Sequence, residues 1–148
     1  MLPGCVRMTL DFTAIEAKWR KAWYEARINE SNPVPGKKKF FMIFAYPGVT
    51  GYLHVGHMRG YTFSDAVVRY KMMTGHNVLF PMGTHATGNG AIVFARKVER
   101  KDPATIDTLK ANGCTEEQIV KLSDPLEVVK FFNEVYVSDY WKRFGFMS

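Results

Sequence analysis

Between Asp11 and about Ile28, apolar residues stand at Phe12, Ile15, Trp19, Trp23 and Ala26. Spacings of three and four put them on one stripe, which predicts an amphipathic helix. Asp11 is placed to cap its start, and Thr13 to Glu16 offers a capping box two residues further on. Asn32, Pro33, Pro35 and Gly36 end the pattern in a loop. Lys37 to Lys39 reads as a solvated approach to the next element rather than a phosphate contact. Phe40 to Ala45 is a continuous apolar run of strand length. Because it does not alternate, it predicts a strand covered on both faces, as in the middle of a parallel sheet.

Pro47 to Gly51 breaks that run. A long helix is expected from about His54 to Met73, with Gly75 as the left-handed residue just past its end. Asn77 to Phe80 is a second short buried strand, so the three elements make one βαβ unit with a right-handed crossover. Pro81 to Gly90 is a loop. Helices follow over Ala91–Arg100, over Pro103–Asn112 with Gly113 as stop, and from Thr115. Ser123, Asp124 and Pro125 form a cap that opens a last long helix running to about Phe144, ended by Gly145. Trp19, Trp23 and Trp141 fall at helical spacings and read as core.

The order describes an α/β chain of two strands and about six helices. A parallel sheet that small lacks the strands it normally needs. The expectation is therefore an incomplete half-fold: a fragment, or a chain whose sheet a partner completes. Residues 1–10 read as a ragged N-terminus with the natural start near Met8. Residues 11–36 form an N-terminal helix and linker, and residues 37–148 the first half of a larger α/β domain.

Composition narrows this. The 148 residues are 47% hydrophobic, which excludes intrinsic disorder. No apolar stretch is long enough to span a membrane. Cys5 and Cys114 stand far apart, so a cytoplasmic, reducing setting is expected. Leu2 to Cys5 resembles a lipoprotein cleavage box without the apolar region such a signal needs. The net charge of +6 is uneven: residues 1–101 carry +9 and residues 102–148 carry −3. A basic first part suits a nucleotide, a nucleic acid or an acidic membrane surface.

The chemistry concentrates between Tyr46 and His57. Gly48 and Gly51 permit a tight turn, and Gly56 leaves room over the first helical turn for a flat ligand. His54 and His57 are three apart at a helix start and share a face. The helix N-terminus adds free N–H groups and partial positive charge. Imidazole donates to phosphate and gains positive character as negative charge builds. The reaction that uses such a site is nucleotidyl transfer, in which a carboxylate attacks the α-phosphate of ATP and pyrophosphate departs. One well-aimed donor contributes about 3 kcal/mol to such a step. A zinc site is the competing reading of His-x-x-His, but the cysteines supply no partner pair and there is no His-Glu-x-x-His.

The segment resembles the first signature of the class I aminoacyl-tRNA synthetases, His-x-Gly-His. Phe44-Ala-Tyr-Pro47, Arg59 to Asp65, Arg69 to Gly83, His85-Ala-Thr-Gly88 and the closing Trp141-Lys-Arg-Phe-Gly-Phe146 extend the likeness. The whole is most similar to the archaeal and eukaryotic-like leucyl enzymes, from about Asp11 to Phe146. The resemblance implies a Rossmann-like catalytic fold, ATP with Mg²⁺ and leucine as substrates, and tRNA(Leu) as acceptor. It assigns ATP handling to Gly51, His54, Gly56 and His57, with the two histidines catalytic, and leucine binding to Phe44, Tyr46 and His85. No resident metal site is expected. Asp65 and Arg69 read as structural.

Thr84 stands where a bulky residue is expected, and Asn89-Gly90 where a small residue and proline are expected. The Lys-Met-Ser-Lys-Ser signature of the family's second half, its editing insertion and its anticodon-binding domain lie outside the sequence. Two alternatives stay open: a non-catalytic module holding nucleotide, tRNA or a partner synthetase, and another nucleotidyltransferase with the same signature, of the pantothenate-synthetase type.

Overall fold

The structure is a computed structural model that describes residues 10–146. The readings of residues 1–9, Cys5 among them, lie outside it. The helix α1 (Phe12–Glu25) starts at Asp11, whose carboxylate accepts from the Ala14 amide at 3.0 Å. Asp11 is therefore the cap, and the later capping box is not used. Strand β1 (Lys39–Phe41), helix α2 (Val55–Met73) and strand β2 (Asn77–Leu79) follow. The strands pair in parallel, Lys39 with Asn77, Phe40 with Val78 and Phe41 with Leu79. The βαβ unit expected from the sequence is present.

The ladder is shorter than the apolar run. Asn77 donates to the Lys38 carbonyl at 2.8 Å and Met42 to the Leu79 carbonyl at 3.0 Å. The alternation of a parallel ladder then calls on residue 81 to donate to Met42. Residue 81 is proline, which has no N–H, so the strands part there.

One expectation about this sheet is corrected. Phe40, Met42 and Phe44 are half-buried, whereas Phe41, Ile43 and Leu79 are 60%, 54% and 48% exposed. Only one face is covered, because α2 packs on that side and no described element packs on the other.

Helices α3 (Gly90–Glu99), α4 (Pro103–Ala111), α5 (Glu116–Lys121) and α6 (Pro125–Glu134) form a helical layer. Ala95, Val98, Leu109, Ile119, Leu122, Val128 and Phe132 make its core and run on into Val49 and Tyr61. The closing helix is not uniform. After α6 the chain winds as a π-helix over Val135–Trp141, then returns to α-helix as α7 (Lys142–Phe144), ended by left-handed Gly145. Trp141 is core as expected and Trp23 half-buried, but Trp19 is 50% exposed. The α1 stripe meets the body near Arg20 and Trp23 instead. Arg20 donates to the Arg143 carbonyl at 2.7 Å, and Arg69 lies over the Trp23 ring at 4.7 Å. Arg69 also pairs with Asp65 and donates to the Gly145 carbonyl, both at 2.6 Å, which is the structural role expected of both residues.

Candidate functional site

The chain leaves β1 and reaches α2 through residues 46–54. Val49 is 2% exposed and anchors this turn in the core. The turn is also held by a second piece of parallel pairing, between Gly48 and His85. His85 donates to the Pro47 carbonyl at 2.8 Å and accepts from the Val49 amide at 3.3 Å. A backbone bridge thus joins the two candidate stretches, which lie on separate loops in the sequence.

At the start of α2, His54 is the N-cap and His57 the third helical residue. The His54 Nδ1 accepts from the Gly56 amide at 3.1 Å, and the His57 Nδ1 accepts from the His54 amide at 3.4 Å. The rings are 4.1 Å apart between centroids. Both Nδ1 atoms are acceptors, so each neutral ring carries its proton on Nε2 and has that N–H left to donate. Gly56 also has a packing reason to lack a side chain. A Cβ there would lie 2.9 Å from the His54 Cε1 and crowd the capping ring.

The three residues assigned to leucine stand differently. The Phe44 ring meets Tyr61 edge-on at 4.9 Å and occupies the space above Gly60, where a Cβ would come within 2.3 Å of it. Its side chain is packing. Tyr46 is 39% exposed and leans on Gly83, whose missing Cβ would be 3.1 Å away. The exposed His85 side chain contacts the Thr87 hydroxyl through Nε2 at 2.5 Å.

The unusual residues nearby have local explanations. Thr84 donates to the Asn133 side chain of α6 at 2.8 Å, tying the loop to the helical layer. Gly90 opens α3 directly under Thr50, and a Cβ there would come within 2.1 Å of the Thr50 methyl.

Tyr136 is a residue the sequence pattern did not single out. It is fully buried in the π-helical segment, and its hydroxyl donates to the Gly48 carbonyl at 3.0 Å and to the Gly51 carbonyl. Burial pushes its phenol up to about 12. Eighty-eight positions separate Tyr136 from Gly48, so no local pattern reports the contact.

Among the described residues, no group of three or more His, Cys, Asp or Glu stands ready to hold a metal ion. A groove of about 1030 Å³ runs between α1, Arg69 and the closing helix, and none of the candidate residues lines it. The site is an open turn that offers two Nε2 donors, while the His54, Gly56 and His57 amides are already engaged at the helix start.

A glycine-rich turn between a parallel strand and a helix start, on a short sheet covered by a helix on one face, defines a Rossmann-like half-fold. The family model of class I tRNA synthetases (I, L, M and V) matches residues 14–120, and the chain belongs to that family. Its relatives are more particular. It is 44% identical over 129 residues to the leucine–tRNA ligase of Pyrococcus abyssi (strain GE5 / Orsay), covering 83% of this chain and 13% of the relative. With that of Aeropyrum pernix it shares 43% over 132 residues, covering 89% of this chain and 14% of the relative. Among solved structures, the LeuRS of an Agrobacterium radiobacter K84 ternary complex with tRNA and LeuAMS superposes with a TM-score of 0.58. That match is 33% identical and covers 70% of this chain and 14% of the other. The chain thus spans about one-seventh of the proteins it matches.

Proposed function

We propose that this chain is the N-terminal part of a leucine–tRNA ligase. The intact protein would activate leucine with ATP and pass it to tRNA(Leu). The observation that carries the reading is the reciprocal cap of His54 and His57, which leaves both Nε2 donors at the helix start opened by the Gly48–Gly51 turn.

ATP lies along residues 48–57, with its phosphates toward His54, Gly56, His57 and the α2 N-terminus, and with Gly51 allowing close backbone approach. Mg²⁺ arrives with the nucleotide. The leucine carboxylate attacks the α-phosphorus; a P–O bond to the carboxylate forms, the bond to pyrophosphate breaks, and pyrophosphate leaves. The Nε2 donors stabilise charge that grows on the phosphoryl oxygens. Leucine is held near the Phe44 backbone, Tyr46 and His85. The contacts of the family's second half come from the rest of a longer protein or from a complementing chain, in the cytoplasm.

The test is leucine-dependent ATP–pyrophosphate exchange by the 148-residue chain. Isoleucine, valine and methionine are tried in place of leucine, with His54→Ala/His57→Ala as control. Exchange with leucine that the double variant abolishes is the expected result. Exchange driven by a different acid overturns the leucyl reading. A folded chain that binds ATP without exchange is a fragment that needs the rest of the longer protein, or a binding module.

A further inference from the structure

The proposed reaction draws on Phe44, the turn, the start of α2 and His85, yet the turn itself is held from elsewhere. We infer that Tyr136 is a positioning residue for the phosphate-binding turn, acting through the carbonyls of Gly48 and Gly51. The inference rests on the proposed function for what the turn binds, but not for how the turn is held.

Tyr136 is 0% exposed. That hydroxyl stands between two carbonyls of the same turn, 3.0 Å from the Gly48 oxygen and in hydrogen-bond contact with the Gly51 oxygen. Its one proton bridges the two ends of the Gly48–Gly51 segment. Gly51 has a φ of +149°, a conformation that side chains rarely adopt, so the turn's shape is not enforced by its own sequence. Gly48 also carries the bridge to His85. One buried hydroxyl therefore fixes the turn that leads to His54 and the residue that pairs with His85.

The scaffold behind Tyr136 is suited to this. Its ring packs on Phe132 at 6.2 Å and stacks on Tyr140 at 6.1 Å. Phe132 is itself fully buried and meets Tyr52 of the turn edge-on at 5.3 Å. The π-helical turn widens the helix at this point, and such turns recur at functional sites.

The test compares Tyr136→Phe with Tyr61→Phe in the full chain. Tyr61 is an equally buried phenol of the same core whose hydroxyl reaches Ala45, ahead of the turn, at 3.4 Å. Loss of one buried hydrogen bond corresponds to about a tenfold change in a local opening equilibrium. Tyr136→Phe is expected to speed hydrogen exchange at Val49 to Gly56 by about tenfold, leaving α3 to α6 within about twofold, and to shift the His54 and His57 ring nitrogen resonances. Tyr61→Phe does neither. Uniform acceleration across the core, or an unchanged turn, overturns the inference.

The ATP affinity of each variant is read separately. A wild-type chain that binds no ATP refutes the proposed function, while the exchange comparison still decides the role of Tyr136. Should Tyr136→Phe fail to fold, the wild-type chain supplies the answer. The Tyr136 hydroxyl proton then gives a slowly exchanging resonance with Overhauser contacts to the Gly48 and Gly51 α-protons, and absence of that resonance overturns the inference.

Discussion

His54 and His57 cap one helix start for each other: the Nδ1 of His57 takes the amide of His54, while the Nδ1 of His54 takes the amide of Gly56. A cap that is usually built from serine and glutamate is built here from two imidazoles. The same bonds that begin the helix select the tautomer in which Nε2 carries the proton. Local structure and chemistry are set by one arrangement.

The first expectation concerns that arrangement. In ¹⁵N spectra of the neutral rings, both histidines show the Nε2–H tautomer. Gly56→Ala places a Cβ 2.9 Å from the His54 ring and displaces it from the cap. The variant should lose about 1 kcal/mol of stability in urea unfolding and show mixed His54 tautomers.

Kinetics give the second. If His57 serves charge that develops only in the transition state, His57→Ala lowers kcat for leucine-dependent exchange by about a hundredfold, with the KM for ATP within about threefold. A matching rise in KM would assign His57 to ground-state binding instead.

A third expectation tests the contact between the turn and α3. Gly90→Ala drives a methyl into the Thr50 methyl at 2.1 Å and should cost about 1–3 kcal/mol. Thr50→Ser removes the opposing methyl, so the double variant should recover most of the loss. A double variant as unstable as Gly90→Ala would show that the strain lies elsewhere.

Alkaline stability provides the fourth. Burial pushes the phenols of Tyr61 and Tyr136 up to about 12, above the ordinary phenol value of about 10. Above pH 10 the unfolded chain releases these protons first, so it is favoured as pH rises. Stability from these two groups is complete below about pH 10 and is lost up to about pH 12, at no more than about 1.4 kcal/mol per pH unit each. Urea midpoints of wild type and Tyr61→Phe/Tyr136→Phe should diverge in slope across that window, with the double variant flatter.

The sequence by itself determined the order of elements, the caps at Asp11 and Asp124, and the stops at Gly75, Gly113 and Gly145. It also marked the turn from Gly48 to His57. These features depend on neighbours within about four residues, so residue identity and spacing are enough to read them. Pro81 likewise carried the end of the strand ladder in its missing N–H. Only the tertiary structure decided which side of β1 is covered, that Trp19 stays at the surface and that the last helix widens into a π-turn. It alone placed Phe44 over Gly60, Thr50 over Gly90, His85 beside Gly48 and Tyr136 beneath the turn. Those contacts join residues 16 to 88 positions apart, and they exist only where packing of whole elements brings the chain back on itself.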